Sequence, residues 1–100
     1  MKPEITLIIT NWNGSNLLRE CMPTVLEAVR FDRHHCYEVM VIDDCSTDNS
    51  LGILADEFPE VRTEQTPQNL GFQEANNYAV KLAESKIVMP MNNDIKLDPK

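Results

Sequence analysis

Ile5-Thr6-Leu7-Ile8-Ile9-Thr10-Asn11-Trp12-Asn13-Gly14-Ser15-Asn16 is the stretch whose reading decides the fold. From Ile5 to Ile9 it is a short, continuous β-branched and apolar run after Pro3, as expected of a strand buried on both faces. It then turns polar at once, and Gly14-Ser15-Asn16 supplies a turn and a helix cap. Leu18, Cys21, Met22, Val25, Leu26 and Val29 follow at helical spacing, an apolar stripe suited to lie on a sheet. Pro23 falls inside that stripe and predicts a kink or a broken first turn.

The same alternation continues to the last motif. Asp32 to Cys36 is a polar connection; its His34-His35-Cys36 lacks the spacing of a shared metal site and reads as a solvated loop. Tyr37 to Ile42 is a second strand, ending at Asp43. Asp48 or Asn49 can cap a second helix, with Leu51, Ile53, Leu54 and Phe58 on its buried side and Pro59 closing it. Val61 to Thr66 reads as a short third strand stopped by Pro67. Phe72, Ala75, Ala79, Leu82 and Ala83 define a third helix, and Ile87 to Met91 a fourth strand. The β-α-β-α-β-α-β order predicts an α/β fold, a mostly parallel sheet flanked by helices with right-handed crossovers. No repeat or internal linker divides residues 1–100.

Composition bounds the function. The 100 residues are 42% hydrophobic and 25% charged, as in an ordinary soluble globular domain or a piece of a larger one. A formal net charge of −7 argues against nucleic acid, which would need a basic face. No apolar run approaches the roughly 20 residues of a membrane span, and the N-terminus lacks a signal-peptide pattern. Cys21, Cys36 and Cys45 are odd in number and show no metal or redox spacing, so they read as free thiols in a reducing compartment, the cytoplasm.

Four polar clusters sit where the predicted strands end: Thr10-Asn11-Trp12-Asn13, Asp43 to Asp48, Gln68-Asn69-Leu70-Gly71 and Met91-Asn92-Asn93-Asp94. In an open α/β sheet the ligand crevice lies outside the carboxyl ends of the strands, so the four describe one site. Adjacent carboxylates at Asp43 and Asp44 are unfavourable unless something binds them, and the ring N–H of a nucleobase can satisfy one. Asp44 and Asp48 also suit plain turn and cap roles. Thr10 and Asn11 offer hydrogen bonds, while Trp12 either flanks a base or fills core. Gly71 gives a tight turn before a helix whose N-terminus can face a diphosphate. Magnesium or manganese takes one or two carboxylates plus phosphate oxygens, which Asp94 can provide, with Asn92 turned toward a ribose.

Taken together, Ile8-Ile9-Thr10-Asn11-Trp12-Asn13-Gly14, Val41-Ile42-Asp43-Asp44-Cys45-Ser46-Thr47-Asp48, Asn69-Leu70-Gly71-Phe72 and Met91-Asn92-Asn93-Asp94-Ile95 resemble the nucleotide-binding half of inverting family-2 glycosyltransferases. Asn-Leu-Gly-Phe and Asn-Asn-Asp look similar to their rhamnosyltransferase-like subset. The resemblance runs from Ile5 to Pro99 and implies the Rossmann-like half of a GT-A fold. It implies that Thr10, Asn11 and Trp12 form the first nucleotide loop and that Asp43 pairs with a uracil or thymine edge. Asp44 would support that loop, and Asn69 and Gly71 would pass near the nucleotide. Asn92 and Asp94 fall where the family carries Asp-x-Asp, and Asp94 would bind a divalent metal, Mg2+ or Mn2+.

The implied reaction transfers a sugar from a UDP- or dTDP-linked donor to an acceptor hydroxyl of a glycan or lipid-linked molecule, with inversion. Two departures stand out: Asn92 replaces the first acid, and Ala75-Asn76-Asn77 stands where many relatives have an Arg. The general base is expected in an acceptor half beyond Lys100, as are any segments that attach the enzyme to the inner face of a membrane. The chain alone is therefore expected to bind donor without turnover and to expose apolar surface. A non-catalytic nucleotide-sugar-binding or scaffold module of the same fold is the alternative. A receiver domain fits poorly, because its acidic pair would end the first strand, and a dinucleotide-binding turn would need more glycines than Gly14.

Overall fold

The computed structural model of the chain describes residues 3–32 and 34–92, and of Asn92 the backbone alone. Seven elements alternate: β1 (Ile5–Asn11), α1 (Ser15–Phe31), β2 (Tyr37–Asp43), α2 (Ser50–Glu57), β3 (Arg62–Gln65), α3 (Phe72–Leu82) and β4 (Ile87–Asn92). The four strands form one sheet in the order β3-β2-β1-β4. Every pairing is parallel, with Ile5 opposite Tyr37 and Ile87, and Met40 opposite Arg62. The expected α/β architecture is the observed one.

Residue parity explains the layers, since side chains alternate across a strand. Ile5, Leu7 and Ile9 of β1 and Val39 and Val41 of β2 lie in one core with Leu18, Cys21, Met22 and Val25 of α1 and Ile53 and Leu54 of α2. Ile8 of β1 and Met40 and Ile42 of β2 lie in a second core with Ala79 of α3. The chain walks outward from β1 through β2 to β3, then returns through α3 to β4 on the far side of β1. Reversing the direction of travel with one crossover hand places α3 on the opposite face from α1 and α2. The reversal opens a crevice beyond the carboxyl ends of β1 and β4.

Several local expectations are refined. β1 and β2 run past the apolar residues, so Asn11 and Asp43 belong to the ladder and face each other as register partners. β3 is shorter than Val61 to Thr66 because Val61 is held in a turn by Phe58, its N–H donating to the Phe58 carbonyl at 3.1 Å. α1 runs unbroken through Pro23. Pro23 is exposed while Cys21, Met22, Val25 and Leu26 on both sides of it are buried, so packing holds both halves despite the lost backbone hydrogen bond. Ser15 and Asn16 form no side-chain cap on α1.

The Asp32–Cys36 connection, at the opposite end of the sheet from the motif loops, is structural. Asp32 accepts hydrogen bonds from the Tyr37 hydroxyl at 2.6 Å and the His34 N–H at 2.9 Å, with the His35 ring at 3.0 Å. These partners, Tyr37 foremost, hold its carboxyl well below the ordinary range and push the Tyr37 hydroxyl up.

Apolar side chains remain uncovered on one flank: Ile87 is 52% exposed and Met89 46%, both on the β4 face that turns toward α1. We therefore expect the isolated chain to bind an apolar dye and to melt at modest temperature. Ile87→Thr with Met89→Gln should lower dye binding while changing stability by less than about 0.5 kcal/mol. A loss above about 1 kcal/mol in chemical denaturation would show that these side chains are core instead.

Candidate functional site

The carboxyl ends of β1 and β2 carry a buried polar knot. The Asp43 side chain is fully buried, and a carboxylate there is tolerable only if hydrogen-bonded. Asn11 Nδ2 donates to Asp43 Oδ1 at 2.9 Å, Ser46 Oγ donates to the same oxygen at 2.7 Å, and the Ser46 N–H donates to Oδ2 at 2.9 Å. Ser46 Oγ in turn accepts from Asn11 Nδ2 at 3.2 Å and from the Asn13 N–H at 2.8 Å. One hydroxyl thus ties both strand ends and both loops together. Turn propensity at Ser46 was visible in the sequence; its position at the centre was not.

Asp44, also buried, faces the third cluster. Its Oδ1 accepts from Thr66 Oγ1 at 2.9 Å and the Leu70 N–H at 2.8 Å, and its Oδ2 accepts from the Gly71 N–H at 2.8 Å. Asn69 Nδ2 donates to the Asp44 carbonyl at 3.0 Å. Gly71 takes φ +86°, a left-handed value that favours glycine, which lets its N–H turn back toward Asp44 while it opens α3. A carboxylate therefore occupies the start of α3, where the helix dipole favours negative charge and where the sequence suggested a diphosphate.

Asp48 serves two helices. Its Oδ2 accepts from the Ser15 N–H of α1 at 3.2 Å and its Oδ1 from the Ser50 N–H of α2 at 3.0 Å. The Ser50 hydroxyl also donates to Oδ1. Burial pulls the Asp48 carboxyl upward, but the hydrogen bonds from Ser50 and Ser15 outweigh it and hold it below the ordinary carboxylate value. Asn13, at φ +50°, completes the contact between the loops: its Oδ1 accepts from the Thr47 N–H at 2.6 Å and the Asp48 N–H at 3.2 Å.

The expected residues distribute as follows. Asn11, Asp43, Asp44, Asn69 and Gly71 are brought together through direct contacts or a shared partner. Trp12 is 58% exposed, which rules out the core-filling alternative. Thr10 points to the other face of β1, where its hydroxyl donates to Asn76 Oδ1 of α3 at 2.6 Å. Asn92 pairs with Thr10 in the sheet, so β4 brings Met91 and Asn92, the start of the last motif, to the same edge. Asn93 and Asp94 lie outside the described residues. Among the described residues, no three His, Cys, Asp or Glu side chains are grouped to hold a metal ion, and none of the helices is long and apolar enough to cross a membrane.

A family model described as Glycosyl transferase family 2 matches residues 6–100. The chain belongs to that family. It is 30% identical over 100 residues to the chondroitin synthase of Escherichia coli, covering 97% of this chain and 14% of that protein. It is 27% identical over 95 residues to the poly(ribitol-phosphate) beta-glucosyltransferase of Bacillus spizizenii, covering 91% of this chain and 15% of that protein. Across the curated relatives it matches, the chain spans from 11% to 37% of their length. Among solved structures, S. aureus TarS 1–349 superimposes with a TM-score of 0.79 at 27% identity, over 99% of this chain and 29% of that one. The same protein in complex with UDP-GlcNAc gives 0.76 at 29% identity, over 94% and 27%. The parallel sheet flanked by helices is thus the Rossmann-like part of the GT-A fold.

The folded value of Asp48 lies below its unfolded one. Its contribution is therefore complete above the ordinary carboxylate range and is lost as the pH falls through the folded value. Asp48→Asn should lower stability by about 1 kcal/mol at neutral pH, within the usual range for a lost cap. It should also flatten the wild-type decline on acidification below about pH 4. Thermal melts of both proteins from neutral to acid pH check this; identical pH slopes would refute the assignment.

Proposed function

We propose that the chain is the donor-binding part of an enzyme that moves a sugar from a UDP- or dTDP-linked donor to an acceptor hydroxyl with inversion. One observation carries the reading. An exposed Trp12 stands between Asn11 and Asn13, each hydrogen-bonded into the knot around Asp43. A flat apolar ring held in water by a fixed backbone suits a nucleobase stacked on it. The UDP-GlcNAc complex of TarS, a protein of the same fold at 29% identity, supports a nucleotide sugar as the ligand class.

In this reading Trp12 borders the base, and the backbone of Thr10 and Asn11 leads the loop up to it. Asp43, whose Oδ2 accepts only the Ser46 N–H among the described partners, is fully buried, so pairing with the imide N–H of uracil or thymine would require the covering loop to shift. Asp44 holds the Asn69–Gly71 turn beside the nucleotide rather than leaving the start of α3 for phosphate. Asn92, at the end of β4, approaches the ribose. The described acids of this edge are engaged in hydrogen bonds and do not fit a metal among themselves. A Mg2+ or Mn2+ ion would be held by Asp94 with the donor's phosphate oxygens, where it would offset charge on the leaving diphosphate.

The acceptor in this reading is a glycan or lipid-linked hydroxyl, and none of the described residues is assigned as the base that deprotonates it. The compartment that fits this reading is the cytoplasm.

Amide NMR titration of the chain with UDP and dTDP, each with and without Mg2+, tests the proposal. Shifts gathered at Thr10–Asn13, Asp43–Ser46 and Asn92–Asp94 are expected, and their size ranks the two bases. A folded spectrum unmoved by either nucleotide would favour a scaffold module instead. Asp94→Ala should remove the Mg2+-dependent part of the affinity and leave the fold intact; undiminished Mg2+ dependence would exclude Asp94 as the ligand.

A further inference from the structure

The two loops that flank the candidate base site each contain a non-glycine residue in left-handed backbone, Asn13 at φ +50° and Cys45 at φ +61°. Such residues are uncommon and persist only where surrounding contacts determine them. At Asn13 those contacts are specific. Its side-chain oxygen accepts from the Thr47 N–H at 2.6 Å, the Asp48 N–H at 3.2 Å and the Thr47 hydroxyl at 3.3 Å, while its own N–H donates to Ser46 Oγ at 2.8 Å. The amide oxygen therefore satisfies two successive backbone donors of the β2–α2 loop, just ahead of α2. On the other side of Trp12, Asn11 is anchored to Asp43 and Ser46.

We infer that Asn13 is a positioning residue for nucleotide recognition. By latching the β1–α1 loop onto Thr47 and Asp48, it fixes the backbone from which Trp12 is presented to the base. The inference rests on the donor-site reading above and adds to it a residue that does not itself touch the nucleotide. Without the latch, the chain from Trp12 to Gly14 gains freedom, and binding must then order it again.

The latch has two separable requirements, an acceptor oxygen and tolerance of positive φ. Asn13→Gly keeps the backbone conformation accessible and deletes the acceptor. Asn13→Asp keeps both. Trp12 is the chain's single tryptophan, so its emission reports on this site alone.

The experiment is a UDP titration, in the presence of Mg2+, of wild type and both variants, following Trp12 emission intensity and anisotropy. Wild type should show a saturable change in Trp12 emission. Asn13→Gly should bind UDP about five- to tenfold more weakly, with lower Trp12 anisotropy before ligand is added. Asn13→Asp should return both readouts to within about twofold of wild type, a rescue that general destabilisation would not produce. Wild-type affinity in Asn13→Gly would overturn the positioning role, even with Trp12 loosened. An unresponsive Trp12 in the wild type would instead overturn the donor-site reading beneath it. Should Asn13→Gly fail to fold, hydrogen exchange at the Thr47 and Asp48 amides of the wild type decides. Slower exchange with UDP bound supports the latch as part of recognition, and unchanged exchange overturns it.

Discussion

The hydrogen bond between Asn11 and Asp43 is the contact on which the rest of this edge is built. It joins register partners at the ends of the two central strands, inside the protein, where an isolated carboxylate would be strongly unfavourable. Ser46 completes the arrangement with its hydroxyl and its backbone N–H. Replacing Asp43 with an apolar residue would leave the Asn11 amide and the Ser46 donors without their acceptor. Removing Asn11 would strip the carboxylate of a donor. The geometry of both loops is set by satisfying one buried charge.

From that knot the site extends outward through backbone groups more than through side-chain pairs. Asp44 fastens the Leu70–Gly71 turn, Asp48 the first turns of α1 and α2, and Asn13 the approach to α2. Acids placed at helix starts use the positive end of the helix dipole as well as the unpaired N–H groups. A chain of net charge −7 thus engages these acidic groups internally, at positions that favour them. Beside the exposed polar groups of these loops stands one exposed aromatic ring, Trp12, a suitable surface for a ligand whose own charge lies further along, at its phosphates.

The fold was legible because parity and punctuation agreed. The Ile5 run, the stripe from Leu18 to Val29 and the proline at position 67 each act locally, so each could be read without knowing its neighbours. Pro23 misled because its effect is decided by tertiary packing on both sides of it. The ladder's extension to Asn11 and Asp43 was hidden for a related reason: those residues join the strands by bonding to each other, across more than thirty residues of chain. Of the site, the clusters and their shared edge were visible in the sequence. The division of labour was not, since Asp43, Asp44 and Asp48 are chemically alike and differ only in which backbone groups surround them. Ser46 was legible only as a turn residue of the second motif, and Asn76 only as part of the Ala75-Asn76-Asn77 departure; the bonds each makes were not.

The strand order has a consequence for how the molecule is made. β1 is central, yet its partners arrive at very different times: Ile5 meets Tyr37 on one side and Ile87 on the other. During synthesis β1 and β2 can pair early, but the opposite edge of β1 waits until Ile87–Asn92 has emerged. Throughout that interval a β-branched run, Ile5 to Thr10, presents unpaired backbone groups of the kind that recruit strands from other chains. Parallel pairing at such separation is intrinsically slow. Crowded translation therefore favours intermolecular capture of β1, and a chaperone that shields nascent strand edges would act before β4 is complete.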